Sequence, residues 1–323
     1  MIGFAQVPAS PAYPTPRTRE AGHSIGTLVM ARSARLALMA ACLFGFLLAP
    51  QTARAETITF PVGGQQRSFV LERPRADGPL PTIILLHGLG GNAEALANAS
   101  GLGRLGAREN FVAVFPDGIN HAWNHFPPGT APQRYIDLLA SRGDTPPDDV
   151  AFLRQVVTGL VGKGISDPKR IYLAGISAGG FMTLRMSCLD APMFAAIALI
   201  ISGMPDATGA QCHPTKPLPV VMIKGDADPN VPWDGGFVRV HTFTVWPQER
   251  LFAFFRQLDG CADTADRSEL PNQGPRRVEF VRWTSCTNDG PVEVYRVIDG
   301  VHAIPQSPPV TPTLWAFFRD KSR

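Results

Sequence analysis

The pentapeptide Gly175-Ile176-Ser177-Ala178-Gly179 holds a serine at the centre of a glycine-flanked turn. A β-branched apolar run at 170–174 precedes it and a helix-like segment at 180–189 follows it, which is the strand–turn–helix context of a G-x-S-x-G nucleophile elbow. The sharp turn brings the residues two before and two after the serine together, so glycine is needed at both places. Because the chain has 31 glycines, a chance match is the alternative, and the motif needs an acid and a histidine beside it.

An acid and a histidine follow two later apolar runs. Asp226 and Asp228 come directly after the run at 219–224, and His302 follows the run at 292–298. The order serine, acid, histidine is that of α/β-hydrolases, in which the histidine takes the serine proton and the acid orients the imidazole. The spacing Gly-x-x-Asp-x-x-Val-Pro favours Asp228 as the acid, with Asp226 capping the turn. A solvated acidic turn and a surface-loop histidine are the alternatives.

Acyl transfer also needs donors for an oxyanion. The amide of Ala178, at the start of the helix after Ser177, is one candidate. The glycine-rich turn after the run at 81–86 supplies the other, for which we predict the amide of Leu89. His87 in the same turn is expected to hold it in shape rather than to act as a base.

Apolar runs of strand length alternate with helix-like segments, which predicts an α/β fold with a mostly parallel sheet covered by helices on both faces. No large cap domain fits between Ser177 and Asp228. We expect 56–323 to be one catalytic domain and 119–147, with five prolines, to be irregular. The predicted strands are 57–60, 68–72, 81–86, 111–115, 170–174, 193–202, 219–224, 278–284 and 292–298, and the predicted helices start at 92 and span 148–162, 180–189, 248–258 and 311–319.

The net charge of +3 comes from the N-terminal part. Five arginines and one glutamate lie in residues 1–55, which leaves 25 basic and 26 acidic side chains beyond residue 55. With no basic run there, we expect no nucleic-acid partner. The apolar run 36–48 after Arg35 and the small-x-small pattern ending at Ala55 predict a signal peptide at 30–55, cleaved after Ala55. Residues 1–29 are then a disordered extension or follow a misplaced start, and an uncleaved membrane anchor is the alternative.

If the chain is exported, its cysteines can form disulfides. Four lie beyond residue 55, without metal-like spacing, so we expect no metal site. Four cysteines allow three pairings. We favour Cys261–Cys286 and, second, Cys188–Cys212, while four buried free thiols remain the alternative.

The chain resembles the secreted polyhydroxybutyrate depolymerase and feruloyl or acetylxylan esterase group of α/β-hydrolases. The matching segments are 86–92 (LHGLGGN), 115–124 (FPDGINHAWN), 148–153 (DDVAFL), 170–182 (RIYLAGISAGGFM), 225–233 (GDADPNVPW) and 300–305 (GVHAIP), together with Cys261 and Cys286. The resemblance implies Ser177, Asp228 and His302 as the triad of a serine esterase that needs no cofactor. One departure is the histidine segment, where the group usually has Gly-Gly-His-Thr-Trp-Pro.

An open site without a cap suits bulky or oligomeric esters. Trp123 and Trp233 are predicted to line it. Because no polymer-binding segment follows the closing helix, we expect soluble hydroxybutyrate oligomers or feruloyl and acetyl sugar esters rather than crystalline polymer. A triad peptidase and a non-catalytic binding protein on a hydrolase scaffold are the other readings. The sequence leaves the oligomeric state open.

Overall fold

A computed structural model describes residues 54–140, 146–238, 242–271, 274–287 and 290–323. The predicted extension at 1–29 and all but the last two residues of the predicted signal peptide lie outside the described residues. The chain enters the described part as an antiparallel hairpin, β1 (Arg54–Val62) and β2 (Gln65–Arg73). Its turn at Gly63-Gly64 has positive φ at both residues, which glycine adopts without strain.

Six parallel strands form the centre of the sheet. Most are short, largely apolar runs buried on both faces, so their sequences do not alternate between polar and apolar residues. The strand at 166–176 begins with a polar, partly exposed stretch, and the one at 292–297 carries Glu293 and Arg296. In spatial order the six strands are β4 (Val112–Pro116), β3 (Leu80–Leu86), β5 (Ser166–Ile176), β6 (Ala196–Ile200), β7 (Val220–Gly225) and β12 (Val292–Val297).

Antiparallel strands complete both edges. The β1–β2 hairpin pairs with β4 on one side, and β11 (Val278–Trp283) followed by β10 (Asp266–Glu269) extends the sheet beyond β12. A separate two-stranded ribbon joins β8 (Gly236–Val238) to β9 (Phe243–Val245).

Helices cover the two faces of the sheet, and alternate strand residues supply the two apolar layers. In β3, for example, Ile84 and Leu86 belong to one layer and Ile83 and Leu85 to the other. The first layer receives α4 (Asp149–Gly162), α5 (Ala178–Asp190) and α7 (Gln248–Asp259), and the second receives α1 (Ala93–Ser100), α2 (Leu102–Glu109) and α8 (Val310–Phe318). The predicted fold class, a mostly parallel sheet with helices on both faces, is confirmed.

The predicted strands and helices are all present, with ends shifted by a few residues. The helix predicted from 92 is two helices, because Gly101 adopts φ 68° between them. The segment 119–147 is less irregular than expected, since it contains α3 (Gln133–Leu139). The sequence analysis also missed α6 (Asp206–Ala210), the β8–β9 ribbon and the fully exposed strand β10. These elements are too short or too exposed to carry an apolar period.

The described part of the chain contains two disulfides. Cys188 at the end of α5 pairs with Cys212, and Cys261 after α7 pairs with Cys286 after β11. Both pairings that the sequence favours are therefore confirmed, and free thiols are excluded for these four residues. Among the helices of the described ranges, none is long and apolar enough to cross a membrane.

Candidate active site

The three side chains selected from the sequence meet at one edge of the sheet. Ser177 lies between β5 and α5, Asp228 follows β7, and His302 follows β12. Since these strands are parallel, their carboxyl ends lie at the same edge. The Oγ of Ser177 is 2.9 Å from Nε2 of His302, and Nδ1 of His302 is 2.8 Å from Oδ2 of Asp228. The arrangement is a continuous hydrogen-bonded path from hydroxyl to carboxylate.

The turn that presents Ser177 is strained and tightly packed. Ser177 has φ 52° and ψ −113°, a conformation that L-residues rarely adopt. A Cβ at Gly175 would lie 2.1 Å from the carbonyl oxygen of Gly179, and one at Gly179 would lie 2.5 Å from that of Leu86. The glycines are therefore needed for the close approach of backbone segments that the sequence pattern indicated.

Asp228 is buried and fully engaged. Its Oδ1 accepts the amides of Asn230 (2.9 Å) and Val231 (3.0 Å), while Oδ2 faces His302. Burial alone raises the pKa of this carboxyl, but the hydrogen bond with His302, the Lys224 ammonium and the Val231 amide outweigh it and hold the pKa at about 2. The group is therefore an anion throughout the neutral and mildly acidic range.

Asp226 has a different place. Its Oδ1 accepts the amide of Asp299 at 2.7 Å and its Oδ2 binds Arg296 at 3.0 Å. It thus joins the turns after β7 and β12, in keeping with the prediction that it caps a turn.

The sequence analysis missed one residue at the site. Lys224, next to last in β7, is 2% exposed and its Nζ lies 2.9 Å from Oδ2 of Asp228. Its signal in the sequence is a lysine inside the buried apolar run 220–225, since a buried lysine nearly always has a partner.

The two backbone amides predicted to bind an oxyanion, those of Leu89 and Ala178, have no acceptor among the described residues. The turn carrying Leu89 packs directly on the serine, because a Cβ at Gly88 would lie 3.5 Å from Cβ of Ser177. Both amides are free to bind an oxyanion.

His87 holds this glycine-rich turn from within. Its Nε2 accepts the amide of Gly118 at 2.9 Å and its Nδ1 lies 2.7 Å from the carbonyl oxygen of Gly88, so the proton sits on Nδ1. Burial lowers the pKa of the imidazole, and the Gly88 carbonyl and Asp117 oppose that effect only in part. The imidazole of His87 is buried and neutral and stabilises the turn, as predicted from the sequence.

Trp123 does not line an open site, which corrects the prediction. Its side chain is fully buried, packs on His87 with ring centroids 4.8 Å apart, and donates Nε1–H to the carbonyl oxygen of His87 at 2.8 Å. An indole needs a partner for its single donor when it is buried, and the backbone of the turn supplies one. Trp123 therefore supports the turn from behind.

Trp233 is also largely buried, at 9% exposure, with Phe252 at its edge and Arg296 over its ring. The exposed apolar surface beside the histidine comes from Val301 (45%) and Ile304 (52%) instead. Ile304 stands where the resembling group has tryptophan. Within the described part of the chain, no group of three or more His, Cys, Asp or Glu side chains could hold a metal ion.

Comparison with known proteins identifies the family. The model of the Alpha/beta hydrolase family matches residues 83–316, which include all three side chains of the hydrogen-bonded path. The chain belongs to the alpha/beta hydrolase family.

This hydrolase is similar over part of its length to several curated proteins. NocK of Nocardia uniformis subsp. tsuyamanensis, whose name describes a candidate esterase, is 35% identical over 178 residues, 54% of this chain and 48% of that protein. Feruloyl esterase B of Piromyces equi is 27% identical over 70% of this chain and 40% of its own. Poly(3-hydroxyalkanoate) depolymerase C of Paucimonas lemoignei is 31% identical over 38% and 28%. The chain thus spans about half or less of these relatives.

The fold of the hydrolase also matches a solved structure. The acetyl xylan esterase from Aspergillus awamori superposes with a TM-score of 0.57 at 13% identity, covering 82% of this chain and 99% of that one. At this identity the likeness concerns the fold. It agrees with the sheet order and helix layers described above.

Proposed function

We propose that this protein is a serine carboxylic-ester hydrolase that uses Ser177, His302 and Asp228 in an acyl-enzyme mechanism. The observation that carries the proposal is the hydrogen-bonded path, with 2.9 Å from Ser177 Oγ to His302 Nε2 and 2.8 Å from His302 Nδ1 to Asp228 Oδ2. The esterase names among the relatives support the same reaction class.

In the first half-reaction the Ser177 oxygen bonds to the ester carbonyl carbon while His302 Nε2 takes the hydroxyl proton. Asp228 stabilises the imidazolium that forms. The amides of Leu89 and Ala178 bind the oxyanion of the tetrahedral intermediate. The intermediate then collapses to the acyl-enzyme, and the imidazolium gives its proton to the leaving alcohol.

In the second half-reaction a water molecule replaces the alcohol. His302 takes its proton as the water oxygen attacks the acyl carbon, and the proton returns to Ser177 as the acid leaves. No cofactor takes part in either half of this proposal.

For the substrate we propose soluble hydroxyalkanoate oligomers or feruloyl and acetyl sugar esters. Val301 and Ile304 are exposed apolar side chains one and two residues from His302, and we propose that they contact the acyl or alkyl group. The segment from Ser177 to Asp228 contains α5, a short 3-10 helix at Ala191–Met193, β6, α6 and β7, and none of these is a cap domain. A site without a cap inserted there suits bulky esters.

We further propose that the protein is secreted, with the signal peptide at 30–55 removed after Ala55. The two disulfides support an oxidising compartment. Cleavage after Ala55 would remove only Arg54 and Ala55 from β1, both exposed. Intact-mass analysis of the exported protein should give an N-terminus at Glu56, and retention of residues 30–55 would contradict this proposal.

Hydrolysis of p-nitrophenyl butyrate tests the activity. We expect turnover by the native protein, covalent labelling by a fluorophosphonate, and loss of both in Ser177→Ala, with the rate falling by about 10⁴-fold or more. Ser268→Ala, at an exposed position of β10, is the matched control and should keep full activity. Absence of labelling in the native protein would favour a non-catalytic binding protein, and cleavage of amides but not esters would favour a peptidase.

A screen over hydroxybutyrate oligomers, feruloyl sugars and acetylated xylan tests the substrate class. Val301→Ser and Ile304→Ser should raise KM for the preferred ester more than they lower kcat, because they remove uniform binding surface. Tight adsorption to polymer granules with erosion of their surface would overturn the preference for soluble substrates.

A further inference from the structure

The carboxylate oxygen that faces His302 has a second, charged neighbour. Oδ2 of Asp228 is 2.8 Å from Nδ1 of His302 and 2.9 Å from Nζ of Lys224. The same Nζ donates to the carbonyl oxygen of Val231 at 2.5 Å. An ammonium group and the imidazole therefore share one oxygen.

The carboxylate has hydrogen bonds besides the one from the ammonium. Oδ1 of Asp228 already accepts two backbone amides, from Asn230 and Val231, and Oδ2 has its bond to His302. Lys224 adds a positive charge next to this carboxylate. Its side chain is 3% exposed and the side chain of Asp228 is fully buried. At this separation and burial a unit charge acts strongly on its neighbour.

Other charged groups near the path are paired or exposed. Asp226 and Arg296 form an ion pair at 3.0 Å, so their charges largely cancel. Asp234 and Asp299, in the loops that carry Asp228 and His302, are exposed to solvent and screened. Among the described residues, Lys224 is thus the charged group placed directly on the carboxylate oxygen that contacts the imidazole.

We propose that Lys224 is a positioning residue that acts through Asp228, where its ammonium offsets part of the carboxylate charge and so weakens the stabilisation of the imidazolium form of His302. The imidazole then stays neutral, and able to accept the Ser177 proton, at lower pH than an Asp–His pair alone would allow. The catalytic consequence rests on the function proposed above.

The charges within the pair support this account. Burial lowers the pKa of Lys224, and the Asp228 carboxylate beside it opposes that effect by favouring the ammonium form. The pKa of Asp228 is held low partly by that same ammonium. The separation of 2.9 Å between Nζ of Lys224 and Oδ2 of Asp228 is that of an ion pair, and the proposal takes Lys224 in its ammonium form.

Two neutral substitutions test the inference. Lys224→Met removes the charge and the donor, while Lys224→Gln removes the charge and keeps a donor. Lys216→Met, at an exposed lysine outside the site, is the control. For each protein, kcat/KM for p-nitrophenyl butyrate is measured from pH 4.5 to 9, and the ring signals of His302 are titrated by NMR without substrate.

In both Lys224 variants we expect the acid limb of kcat/KM and the His302 titration midpoint to move to higher pH by about one unit. The ratio of kcat/KM at pH 5 to its plateau value should therefore be about tenfold lower than in the native protein. Lys216→Met should match the native protein. A uniform loss of rate with no shift, a shift to lower pH, or failure of both variants to fold would assign Lys224 a merely structural role and overturn the proposal. The NMR titration needs no turnover, so an inactive native protein would defeat the proposed function while the midpoint comparison still decides the role of Lys224.

Discussion

Two carboxylates separated by a single residue have different partners at this site. Asp228 reaches His302 through Oδ2, whereas Asp226 binds Arg296 and the amide of Asp299. The loop after β7 folds back so that Oδ1 of Asp228 accepts the amides two and three residues ahead. Both side chains are aspartates, so the difference comes from the local hydrogen bonds: they direct Asp228 to His302, while Asp226 joins two turns.

The difference gives a paired prediction. Asp228→Asn should lower kcat by about 10⁴-fold, because an amide cannot stabilise the imidazolium and favours the wrong tautomer. Asp226→Asn keeps an oxygen for the Asp299 amide and should stay within about tenfold of the native rate. Steady-state kinetics with p-nitrophenyl butyrate at pH 8 checks both. Equal losses in the two variants would show that the acid has been assigned incorrectly.

At the scale of elements, the glycine-rich turn after β3 depends on contacts from distant parts of the chain. Trp123 binds the carbonyl oxygen of His87, and Tyr135 in α3 binds that of Trp123 at 2.8 Å. The next residue, Asn124, donates its amide to Asp149, which forms a buried ion pair with Arg67 of β2. Trp123 contacts the turn that carries Leu89 directly, and the other contacts hold Trp123 and the residue after it in place.

Trp123→Phe isolates one of these contacts. It removes the indole N–H and leaves most of the ring, so the turn loses its hydrogen bond at the His87 carbonyl. We expect kcat to fall by about tenfold with little change in KM, because in the proposed mechanism the amide of Leu89 binds the transition state rather than the bound ester.

Trp315→Phe is the matched control. Its indole N–H also has a partner, Glu109 at 3.1 Å, but that pair lies on α8 and α2, away from the site. Single-turnover acylation rates compare the two variants. If both lose kcat equally, the Trp123 contact contributes only to stability.

At the scale of the whole molecule, one buried acid outside the site links stability to pH. Asp259 ends α7, is fully buried, and accepts the amide of Leu218 through Oδ1 at 2.8 Å. Within the described part of the chain its Oδ2 has no hydrogen-bond partner. Burial raises the pKa of this carboxyl to about 7, against the lowering effect of the Leu218 amide.

The sign of the effect follows from the two pKa values. In the unfolded chain an aspartate loses its proton near pH ~3.9, whereas the folded protein keeps it up to about 7. Between these values the folded state binds more protons, so the free energy of unfolding falls as the pH rises. Between pH 5 and pH 8, ionisation of Asp259 should lower the free energy of unfolding by about 3 kcal/mol.

Asp259→Asn should remove that dependence. Denaturant unfolding with the disulfides intact, measured at pH 5 and pH 8, should show a smaller difference in the free energy of unfolding than in the native protein. Asp266→Asn, on the exposed strand β10, should leave the difference unchanged. An unaltered pH dependence in Asp259→Asn would mean that the group ionises normally in the folded state.

Much of the fold and of the candidate site can be predicted from the sequence because the relevant signals are local. Buried parallel strands are unbroken apolar runs, a nucleophile elbow needs glycine two residues on either side, and residues that follow such strands must lie at one edge of the sheet. Ser177, Asp228 and His302 could therefore be selected, and the structure places them in hydrogen-bond contact.

The amino-acid sequence by itself thus determined the layered α/β fold and the three side chains at the sheet edge. It favoured the disulfide pairing that the structure contains but left other pairings open. Only the tertiary structure decided that Trp123 supports a turn instead of lining the site and that Lys224 shares an oxygen with His302. It also decided that Asp259 is buried with no ion-pair partner among the described residues. Each of these depends on which side chains from separate elements pack together and how far water is excluded from them. Neither the packing between separate elements nor the exclusion of water follows a regular spacing of residues along the chain, so a sequence pattern cannot predict them.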